Sequence, residues 1–176
     1  NSGGAINCGG VNTTLTGCNF IGNNANSTGG GIFYWGANGI LTDSTFTNNT
    51  SHRYGGGIDW YGANGTLADS TFSNNKCNTG AGLNCGRDNI TVTSCTFINN
   101  VANINGGGIR WDAINGTLTN SIFTGNIAKN DGGAVFWERA EGTLIKSTFI
   151  NNPSINRGGA ICWYSVGFMV NCTFVN

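Results

Sequence analysis

Residues Gly55–Asn75 read "GGGIDWYGANGTLADSTFSNN". The same sentence stands just before it at Gly29–Asn49, "GGGIFYWGANGILTDSTFTNN", and returns at Gly80–Asn100 as "GAGLNCGRDNITVTSCTFINN". A further copy, Gly106–Asn126, reads "GGGIRWDAINGTLTNSIFTGN". The aliphatic residue that closes the glycine motif falls at Ile6, Ile32, Ile58, Leu83, Ile109, Val135 and Ile161, in steps of 26 with one step of 25. Nine residues later come Leu15, Leu41, Leu67, Val92, Leu118 and Leu144, with Met169 after eight in the last copy. Five residues further stand Phe20, Phe46, Phe72, Phe97, Phe123, Phe149 and Phe174.

Seven copies in register at this period mark a solenoid or a propeller. Each copy holds two short apolar/polar alternations, I-x-W and S-x-F, separated by Asn-Gly or glycine-rich turns. A propeller blade needs four strands and about 40 residues, and a helical repeat needs 3.6-residue spacing and fewer glycines. The pattern predicts an all-β fold: a parallel β-helix (β-solenoid) of about seven coils, each pairing with the next at about 4.8 Å. Residues 1–176 form one domain, about 35 Å long, expected to be a segment of a longer solenoid.

Stacking turns each sequence column into a ladder. Asn23, Asn49, Asn75, Asn100, Asn126 and Asn152 are expected at a bend, where Asn tolerates the left-handed region and its amide satisfies backbone groups; stacked amides also bond along the rod. Small residues (Ala25, Ser51, Cys77, Ala102, Ala128, Ser154) are expected to point inward. Two residues past the motif Ile the column reads Cys8, Tyr34, Trp60, Cys85, Trp111, Trp137, Trp163. Three past the Leu it reads Cys18, Ser44, Ser70, Cys95, Ser121, Ser147, Cys172. Because both columns become Cys together in coils one and four, the register predicts disulfides Cys8–Cys18 and Cys85–Cys95, against the alternative of buried free thiols. Cys162–Cys172 shares the ten-residue spacing but lies one position off, and Cys77 is left over as a buried small residue.

Composition narrows the function. Formal net charge is zero and 9% of residues are charged, which offers no basic patch for nucleic acid. Twenty-nine Asn and 30 Gly supply uncharged polarity, while five Trp and ten Phe supply a core. No 18-residue apolar run is present to span a membrane. Disulfides imply an oxidising, extracellular setting. Sequons at Asn12, Asn26, Asn64, Asn89, Asn115 and Asn171, with overlapping ones at Asn48 and Asn49, are candidate N-glycosylation sites, although turn chemistry explains most Asn-rich corners.

The candidate site is the outward face of the I-x-W strands. One outward row reads Asn7, Phe33, Asp59, Asn84, Arg110, Phe136, Cys162; the next reads Gly9, Trp35, Tyr61, Gly86, Asp112, Glu138, Tyr164. Phe33, Trp35, Asp59, Tyr61, Arg110, Asp112, Phe136, Glu138 and Tyr164 make a strip of rings and polar groups suited to carbohydrate. Asp112 and Glu138, like Asp43 and Asp69, fall one coil apart, near the roughly 5 Å carboxyl separation of retaining glycosidases. Every ladder gives that spacing automatically, so no catalytic residue is assigned and the chain is read as a non-enzyme. The single His52 makes no metal site by itself, and no cofactor is implied. The threonine rows are broken by Ile40, Ala68, Ile122, Ile145 and Phe168, which argues against a continuous ice-binding array.

The units "GGGIFYWGANGILTDSTFTNN" and "GGAVFWERAEGTLIKSTFINN" resemble the repeats of adhesin-like surface proteins of methanogenic archaea. More distantly, GGAI followed by F-x-x-N resembles the repeat of chlamydial polymorphic outer-membrane proteins. The resemblance implies a right-handed parallel β-helix and an extracellular, cell-surface setting, with attachment to cells or polysaccharide. A carbohydrate-active β-helix enzyme (polysaccharide lyase or glycoside hydrolase) is the alternative, and a stalk or filament self-associating end to end is the next.

Overall fold

The computed structural model of the chain describes every residue but Ala140 and Asn176. Its strands are short, two to four residues, and every pairing is parallel. Four sheets run along the rod. The first holds Ile6–Cys8, Ile32–Tyr34, Ile58–Trp60, Leu83–Cys85, Ile109–Trp111, Val135–Trp137 and Ile161–Trp163, in that order. The second starts with Thr14–Thr16 and ends with Gly167–Val170, the third starts with Asn19–Ile21 and ends with Thr173–Val175, and each has seven strands. A narrower fourth sheet of five strands runs from Asn24–Ala25 to Ile127–Ala128. This is the parallel β-helix that the repeat predicts.

Register does the packing. Ile32 pairs with Ile58, Leu41 with Leu67 and Phe46 with Phe72, so each column stacks on itself. The phenylalanines lie face to face, with Phe46 and Phe72 centroids 4.7 Å apart and 4° from parallel; the strand spacing fixes that distance. Each such ring, fully buried, contributes about 2–3 kcal/mol. The small column also points inward, with Ala102 and Ala128 fully buried.

Coil corners are left-handed. Gly29, Gly55, Gly80, Gly106, Gly132 and Gly158 hold φ between +57° and +68°, and a Cβ on Gly55 would sit 2.1 Å from the Ile58 carbonyl oxygen, so only glycine fits. Three further corner columns hold positive φ, mostly with Asn, Asp or Gly (Asn64, Asp69 and Asn74 among them) and with Ser94, Glu141 and Lys146 as the exceptions. Asp43 and Asp69 are therefore turn residues. The Asn49 column behaves differently from expectation, because the left-handed residues are Asn48, Asn74, Asn99 and Asn151, one earlier. Asn49, Asn75, Asn100 and Asn126 are fully buried instead. Asn100 Nδ2 donates to Phe72 O and to Asn126 Oδ1, both at 2.9 Å, and Asn126 Oδ1 also accepts the Asn100 N–H at 3.1 Å. Each amide thus satisfies backbone groups that a bend would leave orphaned.

The disulfides Cys8–Cys18, Cys85–Cys95 and Cys162–Cys172 are not formed; all seven cysteines are free. Gly65 lies against the Trp60 indole and Gly116 against that of Trp111, where a Cβ would come within 2.5 and 2.2 Å of Nε1. In the two coils with Cys instead of an aromatic ring, this glycine column carries Thr13 and Ile90; Ile90 is buried in the core with Cys85. The larger residue there fills the missing volume. Cys95 in turn replaces Ser by function: its thiol donates to Thr93 O at 3.2 Å, as the Ser121 hydroxyl donates to Thr119 O at 2.9 Å. Cys162 pairs in register with the outward Phe136, on the opposite face from Cys172, where no bridge reaches.

Candidate functional site

Along the first sheet Ile58 and Trp60 point inward, so Asp59 between them faces out. Yet the outward row is not open surface: Asp59 and Asn84 are each 3% exposed. Their cover comes from the corner just before the motif glycines, where Thr28, Tyr54 and Thr79 stack by parallel bridges. The left-handed glycine that follows (Gly29, Gly55, Gly80) turns this column back beside the strand. On the other side the second outward row rises, with Tyr61 half exposed. Between the two walls lies a cleft of about 340 Å³, lined by Thr28, Phe33, Tyr54, Asp59, Tyr61, Asn84, Gly86, Arg110 and Asp112.

One polar chain crosses the floor from coil to coil. Thr28 donates its hydroxyl to Asp59 Oδ2, and Asn84 Nδ2 donates to Asp59 Oδ1 at 2.7 Å. Arg110 Nη1 donates to Asn84 Oδ1 at 3.2 Å, and its Nη2 meets Asp112 at 2.9 Å and Glu138 at 2.6 Å. Arg139 closes on Asp112 at 2.6 Å. Burial pushes the Asp59 carboxyl above its ordinary range, opposed by the two hydrogen bonds and the Arg110 charge. Arg110 lies 5.5 Å from the Tyr54 ring centre, and Arg87 stacks over Tyr61 at 4.1 Å.

Of the residues read from the sequence, Phe33, Asp59, Tyr61, Arg110 and Asp112 meet in the cleft, and Glu138 joins through Arg110. Trp35 stands apart, folded over Gly9 and donating Nε1 to Asn7 Oδ1 at 3.0 Å. Phe136 and Tyr164 pack edge to face at 5.5 Å in a second cluster, where Arg157 donates to Tyr164 Oη at 2.6 Å and Tyr164 Oη donates to Asp131 at 3.2 Å. Phe136 is buried there. The strip is therefore divided in space, and its first group lines the cleft. Sequence reasoning missed Thr28 and Tyr54. The signal was their shared column, four residues before each motif Ile, on which Asp131 and Arg157 also fall.

Six sequon asparagines, Asn12, Asn26, Asn64, Asn89, Asn115 and Asn171, are exposed, and all but Asn26 occupy left-handed corners. Asn64 and Asn89 use their Nδ2 atoms to bond the preceding rung, at 3.2 and 3.0 Å, so a glycan there would break a ladder. Among the described residues no cluster of three or more His, Cys, Asp or Glu is placed to hold a metal. No helix is long and apolar enough to cross a membrane.

Residues 43–59, 94–110 and 120–136 match the Chlamydia polymorphic membrane protein repeat, under a third of the chain. Each match begins at a left-handed corner, Asp43, Ser94 or Asn120. Each ends on the outward row of the first sheet, at Asp59, Arg110 or Phe136. No curated protein and no solved structure matches the chain.

Proposed function

We propose that this β-helix is an extracellular attachment module, displayed at a cell surface, that holds carbohydrate in the cleft of its first sheet. The observation that carries this reading is the gathering of all the arginines and of Tyr54, Tyr61 and Tyr164 on one face of a rod whose other faces carry mainly Thr, Ser, Asn and Ile with scattered charges such as Asp43, Asp69, Lys76, Lys129 and Lys146. All five arginines touch residues of that face: Arg53 over Tyr54, Arg87 over Tyr61, Arg110 and Arg139 on Asp112, Arg157 on Tyr164. Tyrosine walls and a hydrogen-bonding floor are what a sugar ring requires. The chlamydial repeat likeness and the resemblance to archaeal adhesin-like proteins support a surface setting, though neither names a ligand.

The module acts by binding, not by catalysis. Arg110 clamps Asp112 and Glu138 together, which opposes the split acid and nucleophile roles of a hydrolase. One observation favours the enzyme reading instead: Asp59 is held toward its protonated form in the same cleft as Asp112, an arrangement typical of acid–base sites. Exposing the protein to immobilised polysaccharides while scoring retention and soluble product separates the two. Retention without product supports attachment, and product that disappears in Asp112→Asn or Asp59→Asn would establish the enzyme.

A further inference from the structure

Building on the attachment reading, we infer that the cleft recognises an uncharged sugar ring through a vicinal diol, one hydroxyl donating to Asp59 and its neighbour accepting from Asn84. The two side chains are successive rungs of one ladder, paired Cα to Cα in register. Asn84 Nδ2 spends one hydrogen on Asp59 Oδ1 and, as a primary amide, has a second. Each Asp59 oxygen accepts one bond, from Thr28 or Asn84, and a carboxylate oxygen accepts two. Spare acceptor and spare donor therefore sit side by side on a floor that is otherwise satisfied. Adjacent hydroxyls of a pyranose, each both donor and acceptor, match that pair.

The charge of the ligand follows from what Arg110 is doing. It is the one cation on the cleft floor, and its Nη2 is held by Asp112 and Glu138 while Nη1 bonds Asn84. A ligand carboxylate seated against Asn84 would meet the Asp59 carboxylate, while the Arg110 charge is already shared with Asp112 and Glu138, so like-charge repulsion disfavours it. Arg53 and Arg87 belong to the rim, exposed over their tyrosines, where salt screens them. The cleft volume of about 340 Å³ is at the small end of ligand pockets, room for one ring between the Tyr54 and Tyr61 walls.

The test is retention of the whole chain, at physiological salt, on immobilised mannan, galactan, cellulose and polygalacturonate. Each neutral polymer is also presented after periodate cleavage of its vicinal diols and borohydride reduction. Asp59→Asn and Asn84→Ala are run in parallel, their fold checked by circular dichroism. The inference expects retention on a neutral polymer, falling about tenfold or more with periodate treatment and with Asp59→Asn, as loss of a hydrogen bond to a charged group does, and roughly several-fold with Asn84→Ala, which removes a neutral donor. Equal retention after periodate, or on folded Asp59→Asn, overturns the diol and leaves carbohydrate attachment standing. Preference for polygalacturonate overturns the uncharged class alone. Retention on no glycan overturns the inference and the carbohydrate reading together.

Discussion

Asp59 accepts a 2.7 Å hydrogen bond from Asn84 of the next coil although both side chains are only 3% exposed. A buried carboxylate without a direct cation partner opposes folding. Its two hydrogen bonds do not fully offset burial, since its proton is held more tightly than in the unfolded chain. A group raised in this way contributes most stability below the unfolded value of 3.8 and loses that contribution as pH rises through the folded value.

Asp59→Asn therefore stabilises the protein while weakening binding. The amide can accept from Asn84 and donate to Thr28, so at neutral pH the variant gains about 1–2 kcal/mol, or about 3–6 °C in Tm. Its stability also declines less than that of the parent as pH is raised above 3.8. Denaturant melts of both proteins between pH 4 and 8 check this. A variant less stable than its parent would make Asp59 a structural residue.

Asn100→Ala strikes the interior ladder. It removes the donor to Phe72 O and the acceptor for the Asn75 N–H and side chain, leaving buried backbone groups unpaired. The expected loss is about 3 kcal/mol or more, read from urea unfolding. A loss below about 1 kcal/mol would show that water replaces the amide.

Gly116→Ile is expected to be strongly destabilising, by about 3 kcal/mol or more, because a Cβ there already meets the Trp111 indole at 2.2 Å. Trp111→Cys alone opens a cavity, at about 3–5 kcal/mol. Combined, they recreate the Cys85 and Ile90 arrangement of the fourth coil and remove a buried Trp111 Nε1 that has no partner. The double variant is then more stable than either single one, with a coupling of about 2–3 kcal/mol. Additive losses would refute the volume exchange.

The buried thiols resist alkylation. Burial pushes Cys77 and Cys95 up to about 12, and Cys85 well above the usual thiol range. In the folded protein these three should react at least roughly a hundredfold more slowly than the same thiols in the unfolded chain, since the thiolate is the reactive form. After denaturation without reductant, mass spectrometry should count seven modified cysteines. Fewer than seven would restore a disulfide.

The coils, the aliphatic columns and the phenylalanine stack were legible because a solenoid maps sequence register directly onto space. Alternation likewise placed Asp59 and Arg110 on the outer face. It could not show that Thr28 and Tyr54 rise beside them, because that depends on the path of the chain through a left-handed glycine corner. Nor could the row alone show that Phe136 is covered by Tyr164 while Asp59 opens into a cleft. The cysteine error came from matching the wrong columns. The paired exchange was visible in Thr13 and Ile90, which interrupt the column of Gly39, Gly65, Gly116, Gly142 and Gly167.

The most direct test of the cleft as the binding site is a backbone and side-chain amide NMR titration of the labelled protein with a neutral oligosaccharide cut from a retained polymer. The account predicts shifts concentrated at Asn84 Nδ2 and the backbone of Tyr54, Asp59 and Tyr61, with the threonine faces of the second and third sheets silent. Shifts centred on Thr45, Thr71 and Thr96, with Asn84 unmoved, would contradict it.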